Sequence, residues 1–468
     1  MPDQSRFGNK VMILLPCFIL FLGFLLHTHR LPDHDVTWFA WGAREWLNGA
    51  VIGQDVTDPN FPLAYLLYLP AIFLSHFIPF TQALYVYPLL LTAFIIFIAW
   101  DDVPSSARLP IFSMLAFFVG LNWPREFAQR EELVMLLVFP YVLPVERRGW
   151  RAIVTGVLAG IGFAVKPFFL IPWLLLEIKR KPFRSEQLAL MATGAIYAVS
   201  LLVFFPVFIF HQLPITSQVY GAFNNKFSNF IRDGLAPTLI SIAFFLCALK
   251  IKNKFITAFS IAAIGFNIVA LIQMKFYIYQ FLATYGFIMV GATAMICLGK
   301  KYCKILGGIF LVLAYAPQIK FNRLWYKHYD ENLYQQPLFL KKLQDEGAHS
   351  FAAIDVHPYP VFPTVIYARE QGINFVGSAS SYWYLPAAAK GSALATQMSQ
   401  QQLLNDLRKK PDVIIVDTDW RRHTHVSRSF NGLALLLQDP LIAQEWAHYV
   451  PDGAILKMVF YKRLPDKP

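Results

Sequence analysis

The sequence predicts a polytopic α-helical membrane protein that ends in a small α/β domain. Three observations carry that prediction. Apolar runs near the ~20-residue length of a bilayer crossing recur along the first two thirds of the chain. Lys and Arg collect in short clusters between those runs, which is how membrane topology is encoded. From about residue 318 charged and polar residues return, and short strand-like runs alternate with amphipathic helical stretches. The bulk numbers agree, with 56% hydrophobic residues and a mean hydropathy of +0.45, more apolar surface than a soluble domain can cover. The net charge of +12 comes without a groove-reading motif, so nucleic acid is not an expected partner. The four cysteines, Cys17, Cys247, Cys297 and Cys303, lie in or beside apolar runs and imply no disulfide framework.

In chain order the apolar runs fall at about 11–29, 62–79, 83–100, 109–121, 133–144, 152–165, 167–178, 187–209, 236–250, 255–273, 276–298 and 304–317. The first follows Arg6 and Lys10 as a signal peptide would, yet it ends in His27-Thr28-His29-Arg30 with no small-residue cleavage pattern, so it reads as an uncleaved span. Four basic loops set the orientation: Arg147, Arg148 and Arg151; Lys179, Arg180, Lys181 and Arg184; Lys250, Lys252 and Lys254; Lys300, Lys301 and Lys304. With all four in the cytoplasm the intervening segments alternate correctly and the C-terminal domain is external. One run must then fail to cross if the amino terminus is also inside. The run 62–79 is bounded by prolines and holds Pro70 at its centre, so it reads as a juxtamembrane helix. That leaves about eleven spans, with the first external loop at 30–82. Should 62–79 cross, the amino terminus moves outside, and the flanking charges, Arg6 and Lys10 against Arg30 and Arg44, barely separate the two cases. The domain reading is 1–317 for the membrane domain and 318–468 for a soluble extracytoplasmic one. The runs at 109–121, 133–144, 152–165 and 167–178 are short for a ~30 Å hydrocarbon core, as helices edging a water-filled cavity are.

Charge gathers at the predicted external ends. The first loop holds Asp33, Asp35, Arg44, Glu45, Asp55 and Asp58. The turn "NWPREFAQREE" holds Arg125, Glu126, Arg130, Glu131 and Glu132, and "FAVKPFF" puts Lys166 at a hairpin tip. Later turns add Lys226, Arg232, Lys275, Tyr277 and Tyr279. Ionisable groups at membrane depth are costly and point to function by default. Each also has a plainer reading. Asp35 suits a helix N-cap, Arg44 and Glu45 an interfacial pair, and Arg125 to Glu132 a solvated turn. Lys166 suits a snorkelling lysine, and Trp38, Trp41 and Trp46 suit interfacial anchors. The shared side is the stronger signal.

"DVTWFAWGAREWLNG" and "DPNFPLAYLLYLP" resemble the first external loop of the GT-C superfamily of glycosyltransferases, in the branch of ArnT and the protein O-mannosyltransferases. Asp35 falls on the family's first acid, Ala43-Arg44 and Leu47 on later positions, and Pro62-Leu63 with Tyr65 on its P-L-x-Y element. Val36 stands where the family has a second acid, and Phe61 where it has a first proline. "QREELVMLLVFPYVL" is similar to the second-loop element, with Glu131 on the acid and Glu132 in place of a bacterial subgroup's His; "GFAVKPFFLIPWLLLE" is similar to that subgroup's K-P hairpin at Lys166-Pro167. Usable motifs cover about residues 11–180, and they favour the juxtamembrane reading of 62–79.

The resemblance implies an inverting glycosyltransferase of the bacterial inner membrane, with a cytoplasmic amino terminus and a periplasmic C-terminal domain. It implies a donor sugar on a polyprenyl phosphate and an acceptor hydroxyl on a glycolipid, polysaccharide or protein. Asp35 is then the expected base. Glu131 orients the acceptor, holds an Arg or shares a metal. Lys166, Arg130, Arg125 and Arg44 bind the donor phosphate, and Asp55, Asp58 and Glu132 are secondary acceptor-side residues. No cofactor is required, although the carboxylates suit a divalent cation. Two other classes stay open: a transporter or flippase of a lipid-linked or anionic substrate, which would show matched halves, and a surface-polysaccharide polymerase or ligase. In the C-terminal domain, Asp417-x-Asp419 resembles the metal-binding D-x-D of nucleotide-sugar transferases, and His423 to His425 could bind a metal, a surface turn being the plainer alternative. "FAAIDV", "INFVGS", "DVIIVD" and "ILKMVFYK" read as strands, and "SYWYLP", with Trp383, as a segment on the membrane surface or a cavity rim.

Overall fold

The computed structural model describes residues 13–28, 32–224, 227–356, 361–420, 426 and 430–465. Most of the predicted apolar runs coincide with helices. Seven helices among the described residues are long and apolar enough to cross a membrane, beginning with Phe80–Asp102 and Ser105–Asn122 and ending with Ile278–Leu298 and Lys301–Ile319. Leu14–His27, Leu63–Leu74, Gly149–Ala164 and Pro167–Glu177 are shorter apolar helical segments. The region of the run 62–79 is broken into Leu63–Leu66 and Leu69–Leu74, with Pro70 just inside the second, where proline's missing N–H costs nothing.

Two compact units make up the chain: residues 1–33, 63–200 and 225–327 form one, and 34–62, 201–224 and 328–468 the other. The first loop therefore packs with C-terminal residues.

In the first unit the helix Arg130–Val142 is buried along its whole length. A helix enclosed on every side is a core element, and its 13 residues span about 20 Å. One end is clamped by ions. Arg147 holds Asp102 at 2.7 Å, Arg151 holds it at 3.1 Å, and the Arg147 N–H donates to Glu186. Beside them Glu177 accepts from Tyr141 and Arg184, while Arg180 donates to the carbonyls of Tyr141 and Val142. Two of the four basic loops thus meet at one end of this helix. Elsewhere helices touch through glycine: a Cβ on Gly156 would lie 2.3 Å from the Glu186 carbonyl oxygen.

The second unit is built on a five-stranded sheet, β1 (Ser350–Ile354), β2 (Asn374–Phe375), β3 (Val413–Asp417), β4 (Tyr449–Ile455) and β5 (Met458–Arg463), in the order β2-β1-β3-β5-β4. β2, β1 and β3 are parallel, and β5 closes antiparallel on both β3 and β4. β1 and β3 are buried on both faces, so they read as continuous apolar runs. The segment "ILKMVFYK", predicted as one strand, holds the last residue of β4, the hairpin turn at Leu456 and most of the return arm β5. Helix His34–Leu47 packs its aromatic face on this layer. Trp38 stacks on Trp41 at 4.9 Å and meets Phe362 edge-on, while Trp41 meets Phe375. Both indoles are buried, which corrects their reading as interfacial anchors. Trp383 is likewise buried, in a cluster with Val219 and Ala387, and so is not laid out on a surface.

Candidate functional site

The charged residues singled out from the sequence divide between the units. Arg125, Arg130, Glu131, Glu132 and Lys166 belong to the first; Asp35, Arg44, Asp55 and Asp58 to the second.

In the first unit three chain breaks deliver polar side chains into one buried network. Lys166 ends the helix Gly149–Ala164 at the turn into Pro167. Its ammonium donates to Glu131 Oε1 at 2.6 Å and to Gln273 Oε1 at 3.2 Å. Glu131 lies in the first turn of Arg130–Val142, where the helix dipole favours a carboxylate. Gln273 caps the C-terminus of Lys254–Ile272, and its own Nε2 donates to the Val269 carbonyl at 3.1 Å. Gln280, in the turn Ile278–Phe281, donates from Nε2 to Gln273 Oε1 at 3.2 Å. Arg130, Glu131, Lys275 and Gln280 are each buried, at 2%, 2%, 4% and 6% exposure. A charge at such depth persists only when paired, and for Glu131 the pairing with Lys166 is direct.

The backbone around this network is strained. Ala128, Met274 and Phe276 adopt positive φ of 65°, 52° and 55°, in the left-handed region that side chains disfavour. Each such residue costs about 1–3 kcal/mol and persists only where its surroundings enforce it. For Ala128 the enforcement is visible: its N–H donates to Glu132 Oε2 at 2.7 Å, and its carbonyl accepts from Tyr68. Gln129 is tied to Asp33 at 2.7 Å. Glu132 therefore acts as a bracket reaching back from the first helical turn, in the manner of a capping box. Arg125 is exposed and sits 3.6 Å from Glu126.

Several acceptor atoms in and beside the network have no hydrogen-bond partner among the described residues, Glu131 Oε2 and Gln280 Oε1 in it and Gln129 Oε1 and Glu132 Oε1 next to it. An unsatisfied buried acceptor costs about 1–3 kcal/mol. The site therefore offers fixed cations with oriented acceptor oxygens beside them.

The second-unit residues are used differently. Asp35 lies in the first turn of His34–Leu47, 3.3 Å from His34 Nε2, and not at the N-cap. Arg44 is half-buried, and burial, then the neighbouring Arg369 guanidinium, lowers its pKa. Glu45 pairs with Arg369 at 2.6 Å. Asp55 accepts from the Val51 N–H, and Asp58 accepts from the Trp38 indole at 3.1 Å and from the Asn60 N–H at 2.7 Å. Both aspartates brace their own loop. At the end of β3, Asp417 accepts from the Asp419 N–H, and Asp419 pairs with Lys457. The segment His423 to His425 lies outside the described residues.

Gln273 and Gln280 escape a sequence reading that follows charge. The available signal was a glutamine closing an apolar run, in "LIQMKF", just ahead of a lysine. No family model, curated protein or solved structure matches this chain.

Proposed function

We propose that this protein is an integral-membrane, inverting glycosyltransferase. In this reading it moves a sugar from a polyprenyl-phosphate donor to an acceptor hydroxyl at the extracytoplasmic face. The observation that carries the reading is the buried Lys166–Glu131 pair with Arg130 beside it, at helix ends opposite the cluster of basic loops. The acceptor oxygen attacks the anomeric carbon and its proton passes to a carboxylate, for which the sequence resemblance nominates Asp35. The bond from the anomeric carbon to the phosphate oxygen breaks, and its electron pair leaves with the lipid phosphate. Negative charge thus grows on phosphate oxygens, where preorganised cations lower the barrier most. Lys166 and Arg130 are assigned that role. A general base within hydrogen-bond reach contributes a further ~10²–10⁴-fold. The proposed setting is a bacterial inner membrane with about eleven spans, the amino terminus in the cytoplasm and the α/β unit in the periplasm.

The test is mass spectrometry of polyprenyl-linked sugars in cells lacking the gene. One lipid-linked sugar accumulates, and the wild-type gene, but not Asp35→Asn, clears it. An unchanged lipid-sugar pool would remove the reading. Topology is tested with Gln401→Cys, at an exposed position of the second unit. Labelling by a membrane-impermeant thiol reagent in intact spheroplasts is expected; protection there would place that unit inside.

A further inference from the structure

The charged members of the network account for binding a phosphate, but they leave two oxygens unexplained. Glu131 spends Oε1 on Lys166, and beyond its own backbone N–H the carboxylate has no other donor among the described residues, which leaves Oε2 under-satisfied. The second oxygen is placed by a chain of amides. The backbone anchor of that chain is the Val269 carbonyl, which takes the Gln273 Nε2 hydrogen and so fixes Gln273 Oε1 toward Lys166 and Gln280. Gln280 must then turn its amide nitrogen to Gln273, and its own Oε1 is left as an oriented acceptor with no donor among the described residues. Glu131 and Gln280 are both more than nine-tenths buried. Fully buried acceptors are almost always satisfied in native proteins, so a recurrent pair in one network calls for a donor from outside the chain. Phosphate oxygens cannot serve, because they accept and do not donate. Hydroxyl groups can.

We propose that Glu131 Oε2 and Gln280 Oε1 accept hydrogen bonds from hydroxyl groups of the sugar carried on the lipid phosphate. Gln280 is then a specificity-determining residue, and Gln273 a positioning residue that orients Gln280 and Lys166 together. The inference rests on the glycosyl-transfer reading and adds to it the part of the donor that is read. A site built to hydrogen-bond hydroxyls rejects a ligand lacking them, because its acceptors are then left bare.

The experiment uses the full-length protein in detergent, incubated with the total polyprenyl-phosphate lipid extract of its own cells. Native mass spectrometry compares glycosylated with bare polyprenyl phosphate retained on the protein. Wild type is expected to enrich the glycosylated lipid over its proportion in the extract by about tenfold or more, the discrimination a hydroxyl-reading site supplies. Gln280→Met is expected to lose at least roughly fivefold of that enrichment while retaining bare polyprenyl phosphate within about twofold of wild type. Gln273→Met is expected to lose enrichment and to weaken bare-phosphate retention as well, since it releases Lys166. Wild-type enrichment that survives Gln280→Met, or a Gln280→Met that loses both lipids equally, overturns the sugar-reading role and leaves the glycosyl-transfer reading standing. A wild type that retains no polyprenyl phosphate overturns both. Thermal melts of each variant separate loss of recognition from loss of fold.

Discussion

The Lys166–Glu131 pair allows a quantitative test of the first unit. The two charges lie 2.6 Å apart with side chains 12% and 3% exposed. At an effective dielectric of ~20 their gross attraction is about 6 kcal/mol. Desolvation offsets much of that, and the measurable consequence is asymmetric. Lys166→Met leaves a buried carboxylate, but Arg130 still acts on it, so the cost falls near the lower limit for such a break, about 3 kcal/mol. Glu131→Leu leaves the buried Lys166 ammonium without the Glu131 carboxylate, and its cost lies within the range for such a break, about 3–5 kcal/mol. The double variant removes both charges and restores an apolar contact, and its stability should return to within ~2 kcal/mol of wild type. Denaturant unfolding of the full-length chain in detergent, followed by tryptophan fluorescence, gives the four corners of the cycle. With single costs of about 3 and about 3–5 kcal/mol and a double variant within about 2 kcal/mol of wild type, the coupling energy should be about 4 kcal/mol or more. On the proposed glycosyl-transfer reading activity behaves oppositely: the double variant remains at least ~10²-fold down, because Lys166 is the cation that reading assigns to the leaving phosphate. A double variant as unstable as the two singles added together would refute the pairing argument. A double variant with restored activity would refute the phosphate role.

Three further outcomes are expected. Burial raises the Asp406 carboxyl to about 6, although it accepts from the Ser378 N–H and the Tyr382 hydroxyl. A raised carboxyl contributes stability that is fully present below its unfolded value and lost as pH rises through about 6, in all about 3 kcal/mol, so hydrogen-exchange protection of residues 374–408 should fall between about pH 4 and 6.5 and Asp406→Asn should flatten that fall. Gly156→Ala forces a Cβ to 2.3 Å from a backbone oxygen and should cost about 1–3 kcal/mol in a melt, whereas Gly194→Ala, with nothing within 4 Å, should stay within ~1 kcal/mol of wild type. Trp38→Phe removes the indole N–H from Asp58 and should cost about 1.5–3 kcal/mol, read as faster exchange across residues 51–62; unchanged exchange there would show that the bond contributes nothing.

The sequence alone determined the helical membrane architecture, the clusters of basic residues between apolar runs and the presence of strands in the C-terminal part; it did not give the helix bounds, since the last apolar run, read as 304–317, continues as one helix to Asp345. Those features are local: hydrophobic length, periodicity and flanking charge are written within a few turns of the chain. It also marked Arg130, Glu131 and Lys166, because a charge beside an apolar run is conspicuous. Tertiary structure decided how such residues are used. Asp55 and Asp58 brace a loop, and Glu132 brackets a strained alanine. Trp38 and Trp41 serve the core of the second unit. Gln273 meets Lys166 across 107 positions of sequence, and Glu131 meets it across 35. A hydrogen bond needs its donor and acceptor within about 3 Å, and no local pattern encodes which two distant helix ends will come that close.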